Sequence, residues 1–259
     1  MTKMTPYFLH RSVTSHRQPA MSTVKRQLMD ALSLSQFLID AGWYVSAVKV
    51  LRVVENACQH LSASAAAACN QDNTFLALIH SDTQLKLLHG YSASCSFAKA
   101  DALYERLASC ASGAAGLEDN CQRQNNNMTT ARYQELAYYC FVKSEFQLSY
   151  QWSMRAVGLL HKDLSPKIIV DVLRTASKSC VVRGMFAKAK LLIEEAVLLA
   201  KEVYTEFHPK YADCLMDFGF YLQNSDGASA SIQAYKKALS VSLMPFFQHH
   251  QKHSNDGQN

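Results

Sequence analysis

Glycine and proline are scarce, at nine and five residues in a chain of 259. A fold of many short strands needs such residues at every turn, so their scarcity argues against a sheet and for long helices. Acids are missing from the first 29 residues, where Lys3, Arg11, Arg17, Lys25 and Arg26 stand alone before Asp30. The excess positive charge therefore sits in an N-terminal arm, and the rest of the chain is neutral. A neutral body lacks the basic stripe that a nucleic-acid surface needs. No CxxC pair occurs among the eight cysteines, and no Cys/His spacing fits a zinc site. No apolar run is long enough for a bilayer, and no apolar signal core follows the basic start. These absences point to reduced thiols in an intracellular protein. An acid-poor, Ser/Arg-containing start also suits a mitochondrial transit peptide, although Pro6 and Pro19 disfavour its amphipathic helix.

What is present is a period. "DVLRTASKSCVVRGMFAKAKLLIEEAVLLA" from 171 aligns without a gap on "DCLMDFGFYLQNSDGASASIQAYKKALSVS" from 213. The alignment matches Ser177 with Gly219, Ala189 with Ser231, Ile193 with Tyr235, and Ala196 with Ala238. Ala137 and Ala156 occupy equivalent places in 133–156, and Gly42 and Ala47 mark a turn and a packing site in 31–57. A degenerate unit covers 76–107. The pattern predicts an all-α solenoid of about five tetratricopeptide-like helical hairpins. Gly219, costly inside a helix, is explained by close approach of the paired helix. Gly219→Leu is expected to force the hairpin apart, and Gly219→Ala to be mild. The array is expected over 27–243, with a flexible loop near 111–130, a disordered arm over 1–26 and a disordered tail over 244–259. Pro245 is expected to stop the last helix.

Four stretches carry a resemblance: "FLIDAGWYVSAVKVL", "PKIIVDVLRTASKSCVV", "AKAKLLIEEAVLLAKE" and "HPKYADCLMDFGFYLQN". Together they resemble the amyloid protein-binding protein 2 family of tetratricopeptide adaptors, most strongly over 164–240. The resemblance implies a substrate receptor of cullin-RING ubiquitin ligases, docked to elongin and cullin, and a binder of the amyloid precursor protein tail and of microtubules. It implies a cytoplasmic, cytoskeleton-associated location, with the nucleus as a second site. Family members start with a longer docking segment and continue through further repeats. Both differences put ligase docking in doubt more than peptide binding, and suggest a truncated or partial product.

Repeat register puts Gln134 and Tyr138, Arg174 and Lys178, and Met216 and Phe220 on successive inner helices, each pair one turn apart. Arg174 and Lys178 are candidates to hold a client carboxylate, with Tyr138 and Phe220 as apolar flanks. The bland alternative is a solvated charge pair between half-buried aromatics. Cys140 and Cys180 share a repeat position and are expected in the core. His208 and Pro209 are expected at a helix start. His249, His250 and His253 have no anchoring partner and read as a solvated tail, so no metal or other cofactor is expected. No phosphate loop, nucleophile elbow or patterned acid pair is found, so no catalysis is expected. The partners expected are client proteins through linear segments. The alternative is a structural or transport scaffold, linked to a microtubule or motor, packed on a folded partner. Val241, Leu243, Met244, Phe246 and Phe247 form an apolar end from which self-association is expected.

Overall fold

The computed structural model describes residues 21–64, 70–113, 122–225 and 227–255, with side chains placed over 21–63, 72–111, 126–225 and 227–243. Ten helices and no strand occur among the described residues. They are α1 (Met21–Asp40), α2 (Tyr44–Ser64), α3 (Asn70–Ala93), α4 (Phe97–Gly113), α5 (Gln122–Val142), α6 (Phe146–Gly158), α7 (Pro166–Val181), α8 (Phe186–Tyr204), α9 (Pro209–Asn224) and α10 (Ala228–Asn255). Consecutive pairs form five antiparallel hairpins. The odd-numbered helices also pack on one another in series, making an inner layer, while the even-numbered ones lie outside. The predicted solenoid of helical hairpins is therefore the observed fold.

One backbone device sets the register of every hairpin. The amides of Trp43, Ser96, Glu145, Met185 and Gly227 each donate back to a carbonyl five residues earlier, at 2.8–2.9 Å: Leu38, Tyr91, Cys140, Cys180 and Leu222. This six-to-one bond closes a helix whose next residue turns left-handed. Gly42, Cys95, Ser144 and Gly184 take that conformation, with φ of 77°, 53°, 65° and 72°. Only glycine adopts it without steric cost. Glycine stands at two of these turns, and a residue with a side chain at the other two.

The turns define the packing positions. Eight residues before each closing amide lie Ser35, Leu88, Ala137, Ser177 and Gly219 on the inner helices. Eight residues after it lie Leu51, Tyr104, Ser153, Ile193 and Tyr235 on the outer ones. Ala47, Ala100, Ser149, Ala189 and Ser231 lie four residues after, and all are buried. Ala156, Ala196 and Ala238, further along, are buried too. The helices approach closely enough for hydroxyls to reach the facing backbone: Ser177 donates to the Ala189 carbonyl at 3.0 Å and Ser149 to the Ala137 carbonyl at 2.9 Å. Gly219 belongs to the same series. A methyl group there would come within 2.5 Å of the Tyr235 ring. In the fifth hairpin the outer tyrosine is thus matched by the smallest inner residue. This corrects the expectation that alanine fits at 219. The small residues at 137 and 177 face Ser153 and Ile193, not a tyrosine.

Burial follows position in the array. α7, in mid-array, buries residues around most of its circumference, whereas α1, at one end, buries one stripe from Leu28 to Ile39. Several boundaries differ from those expected. α1 starts at Met21 because Val24 packs on the core and Lys25 pairs with Asp72 at 2.5 Å. Helix also takes both flanks of the predicted loop at 111–130: Ala111 is buried on α4 and Thr130 on α5. α10 continues through Pro245 to Asn255. Proline disturbs the turn before it but suits the first turn of a new helical stretch, so helix can resume behind it.

Candidate functional site

The inner helices converge on a pocket of about 320 Å³ lined from α1, α3, α5, α7 and α9. Its walls carry Gln36 and Asp40, Lys86 and His89, Gln134 and Glu135, Asp171, and Lys210. The curvature is tight enough for the two ends of the inner layer to meet. Lys210, in the first turn of α9, lies 3.8 Å from Asp40 at the end of α1, and 3.4 Å from Asp171 on α7. Local sequence places that lysine. His208 caps α9 by accepting from the Lys210 amide at 3.1 Å, Pro209 occupies the first helical position, and the His208 ring stacks on Tyr204. The helix-start role read from the sequence is correct.

Beside the pocket, Arg174 is surrounded by acids. Its Nε donates to Asp217 at 2.8 Å, and Asp171 and Asp213 lie at 3.5 and 3.6 Å from its guanidinium. Lys178 reaches the other Asp217 oxygen at 3.4 Å. Burial opposes the charge on Arg174, but Asp217, Asp213 and Asp171 outweigh it and raise its pKa further. Burial likewise works against ionised Asp171, yet Lys210 and Arg174 hold its carboxyl below the usual range. The result is a network of alternating charges, enclosed at its centre, where the Arg174 and Asp217 side chains are only 13% and 11% exposed, and open to solvent at Asp213.

Aromatic rings extend the wall. His89 stacks on Tyr138 with centroids 4.6 Å apart, and its Nδ1 lies 3.1 Å from Glu135. Lys178 covers the other neighbours, 5.7 Å from the Tyr138 ring and 5.4 Å from Phe141. Burial drives the Tyr138 hydroxyl pKa upward. Burial also raises the Tyr44 pKa, with the charges of Asp213, Lys210 and Arg174 acting on it as well.

The six residues singled out from the sequence divide into three groups. Tyr138, Arg174 and Lys178 form one contiguous cluster on the inner face. Gln134 is buried in the wall and donates to Thr175 at 3.5 Å. Met216 is 49% exposed on α9, and Phe220, one turn on, packs against the α7–α8 core. Neither cation of the pair is uncommitted, since both are engaged by Asp217. The sequence reading missed the acids. Asp171 and Asp213 are 42 residues apart, at equivalent repeat positions, so the alignment that found Arg174 already contained them.

The thiols fit the core role expected of them. Cys140 and Cys180 are fully buried, and burial pushes the Cys140 thiol up to about 11. Cys214 is pushed up to about 12 for the same reason. A thiol held protonated is a poor nucleophile. Among the described residues no cluster of acids, histidines and cysteines is arranged to hold a metal, and no helix is long and apolar enough to cross a membrane. The histidines at 249, 250 and 253 lie outside the described side chains. So do Met244, Phe246 and Phe247, while Val241 is buried against α9 and Leu243 is partly exposed.

No family model matches the chain. It is 34% identical over 209 residues to amyloid protein-binding protein 2 of Rattus norvegicus, and equally so to that of Mus musculus. The match covers 80% of this chain but 33% of each relative, so the chain spans about a third of their length. Among solved structures it superposes on a single-substitution form of a Podosopora anserina kinesin light chain with nearly identical TPR-like repeats. There the TM-score is 0.50 at 15% identity, covering 85% of this chain and 97% of that one. That likeness bears on the fold alone, and it agrees with a tetratricopeptide-like array. The resemblance read from four short stretches thus extends over most of the chain.

Proposed function

We propose that the chain is a non-catalytic adaptor that holds client proteins by short linear segments on its inner face. The observation that carries this reading is the convergence of five inner helices on one pocket, where charged side chains alternate with apolar ones such as Ile39, Leu85 and Ile168. At about 320 Å³ it lies at the small end of the range for ligand sites, which runs from roughly 300 to 1,000 Å³. It suits a few side chains of a client, not a long strand. Beside the pocket, Tyr138, Met216 and Phe220 supply apolar contact, and Gln134 lies in its lining. Arg174 and Lys178 receive a client carboxylate by exchange, with the incoming acid taking over contacts now made by Asp217. Such exchange keeps both cations partnered but releases the Asp217 carboxyl, 11% exposed, so it requires α9 to turn that group toward solvent.

The likeness to amyloid protein-binding protein 2 supports a finer reading. On it, the chain serves as a ubiquitin-ligase substrate receptor or in amyloid precursor protein trafficking, in the cytoplasm at the cytoskeleton and also in the nucleus. A second reading, a scaffold packed on a folded partner such as a microtubule or motor component, is favoured by the prior neutralisation of Arg174 and Lys178. Selection of short peptides from a displayed library against the folded chain separates the two. The adaptor reading expects a recurring linear motif whose binding weakens about tenfold or more in Tyr138→Ala and in Met216→Asp. Failure to enrich any linear segment, with binding confined to folded proteins, would overturn it in favour of the scaffold.

A further inference from the structure

Each inner helix after the first packs on the outer helix of the hairpin before it. One contact marks the register of these junctions. The outer residue five positions after a closing amide meets the inner residue six positions before the next closing amide. At the first junction these are Val48 and Gly90, so close that a methyl group on the glycine would come within 2.7 Å of the valine. At the second they are Asp101 and Tyr139, joined by a hydrogen bond from the tyrosine hydroxyl. Tyr139, Ser179 and Tyr221 hold the inner position in α5, α7 and α9, and all are buried. In α1 that position is Phe37, and it is 64% exposed. Leu34, one turn earlier, is 50% exposed, whereas Leu87, Leu136 and Ala176 at the same place in the next three inner helices are buried. The outer position in α10 is Ile232, 52% exposed. Leu239 of the same helix is 59% exposed, where Val197 of α8 packs on the core shared with α9.

We infer that the α1 face of one copy of the chain docks on the α10 face of another, head to tail, as each hairpin docks on the one before it. Phe37 then meets Ile232 of the second copy, with Leu34 and Leu239 beside them. An aromatic ring has precedents at this position in Tyr139 and Tyr221. A charged pair follows the same register. At the fourth junction Lys210 lies 3.4 Å from Asp171. The equivalents across two copies are Arg26, exposed on α1, and Asp213, with a side chain 52% exposed on α9. Such a pair adds little affinity but fixes which face meets which. The contact is heterologous, so a dimer still presents one face of each kind and can grow. Leu34, Phe37, Ile232 and Leu239 are absent from the pocket lining, so the inference stands whether or not a client segment binds there.

Sedimentation velocity on the full chain, from low concentration to about 100 μM where weak self-association is visible, tests it. The parent should pass from monomer through dimer to larger species as concentration rises. Phe37→Asp disables one face and Ile232→Asp the other, so each variant alone should stay monomeric. Mixed in equal amounts, the two variants retain one intact face each. They should form a one-to-one dimer and nothing larger, because the joined pair has only disabled faces left. Both substitutions are on exposed positions, and unchanged helical circular dichroism confirms that the fold is kept. A parent that stays monomeric throughout overturns the inference, and so does one that stops at a dimer. Association of either variant at parental strength overturns it too, as does a mixture that remains monomeric.

Discussion

At the scale of the residue, Gly219 and Tyr235 act as one unit. The glycine forgoes about 1 kcal/mol of helix propensity relative to alanine. The tyrosine, lying over the backbone at 219, donates from its hydroxyl to Gln223 at 2.9 Å. Gly219→Ala gains the propensity but meets the ring, and overpacking of this kind typically costs about 1–3 kcal/mol. The expected net effect is a loss of up to about 2 kcal/mol in parental background and a gain of about 1 kcal/mol in Tyr235→Ile, where the facing side chain resembles Ile193. Urea denaturation of the two singles and the double gives the coupling. Additive effects would mean that the ring does not hold position 219 to glycine.

At the scale of the element, the hairpin turn is the repeated part, and two of its copies carry strain. Ser144 and Cys95 hold the left-handed conformation that Gly42 and Gly184 adopt freely. Ser144→Gly and Cys95→Gly are each expected to stabilise by roughly 1 kcal/mol, and Gly184→Ala to destabilise by a similar amount. Shifts of the thermal midpoint read the sign directly. These turns also show what could be read in advance. Small residues at 137, 177 and 219 and the matching alanines on the outer helices are local signals, and they were enough for hairpin number and helix pairing. The turn at 95 carries no glycine, and Leu88 stands where the other units have a small residue, so the second hairpin reads as degenerate. Helix ends are set by tertiary contact, such as Lys25 with Asp72 across two hairpins. Periodicity within a single helix does not contain that information. The site was legible as a set of positions but not as a charge state. Alignment placed Arg174 and Lys178 on the inner face, while their neutralisation depends on how far α9 leans over α7.

At the scale of the whole molecule, the charges of α7 and α9 form one network whose balance depends on pH. Asp171 has a folded pKa held below its unfolded value by Lys210 and Arg174, against the effect of burial. A carboxyl so depressed stabilises the fold at all pH above its unfolded value, about 4, and the contribution is lost as pH falls through the lower folded value. Acid should therefore weaken the packing of α9 on α7 below about pH 4. Asp171→Asn should flatten that part of the stability–pH curve while lowering stability at neutral pH. An unchanged slope in the variant would remove Asp171 from this role.

The contact between Asp40 and Lys210 joins residues 170 positions apart, and it changes what kind of object the array is. In an open stack each hairpin rests only on its neighbours, so stability is a sum along a line and the ends fray first. The ion pair between the first and fifth inner helices adds a link that skips the line. Loosening the end of α1 then costs that ion pair as well as packing on α3. A change in the first turn of α9 is therefore expected to be felt as lost protection of backbone amides at the end of α1.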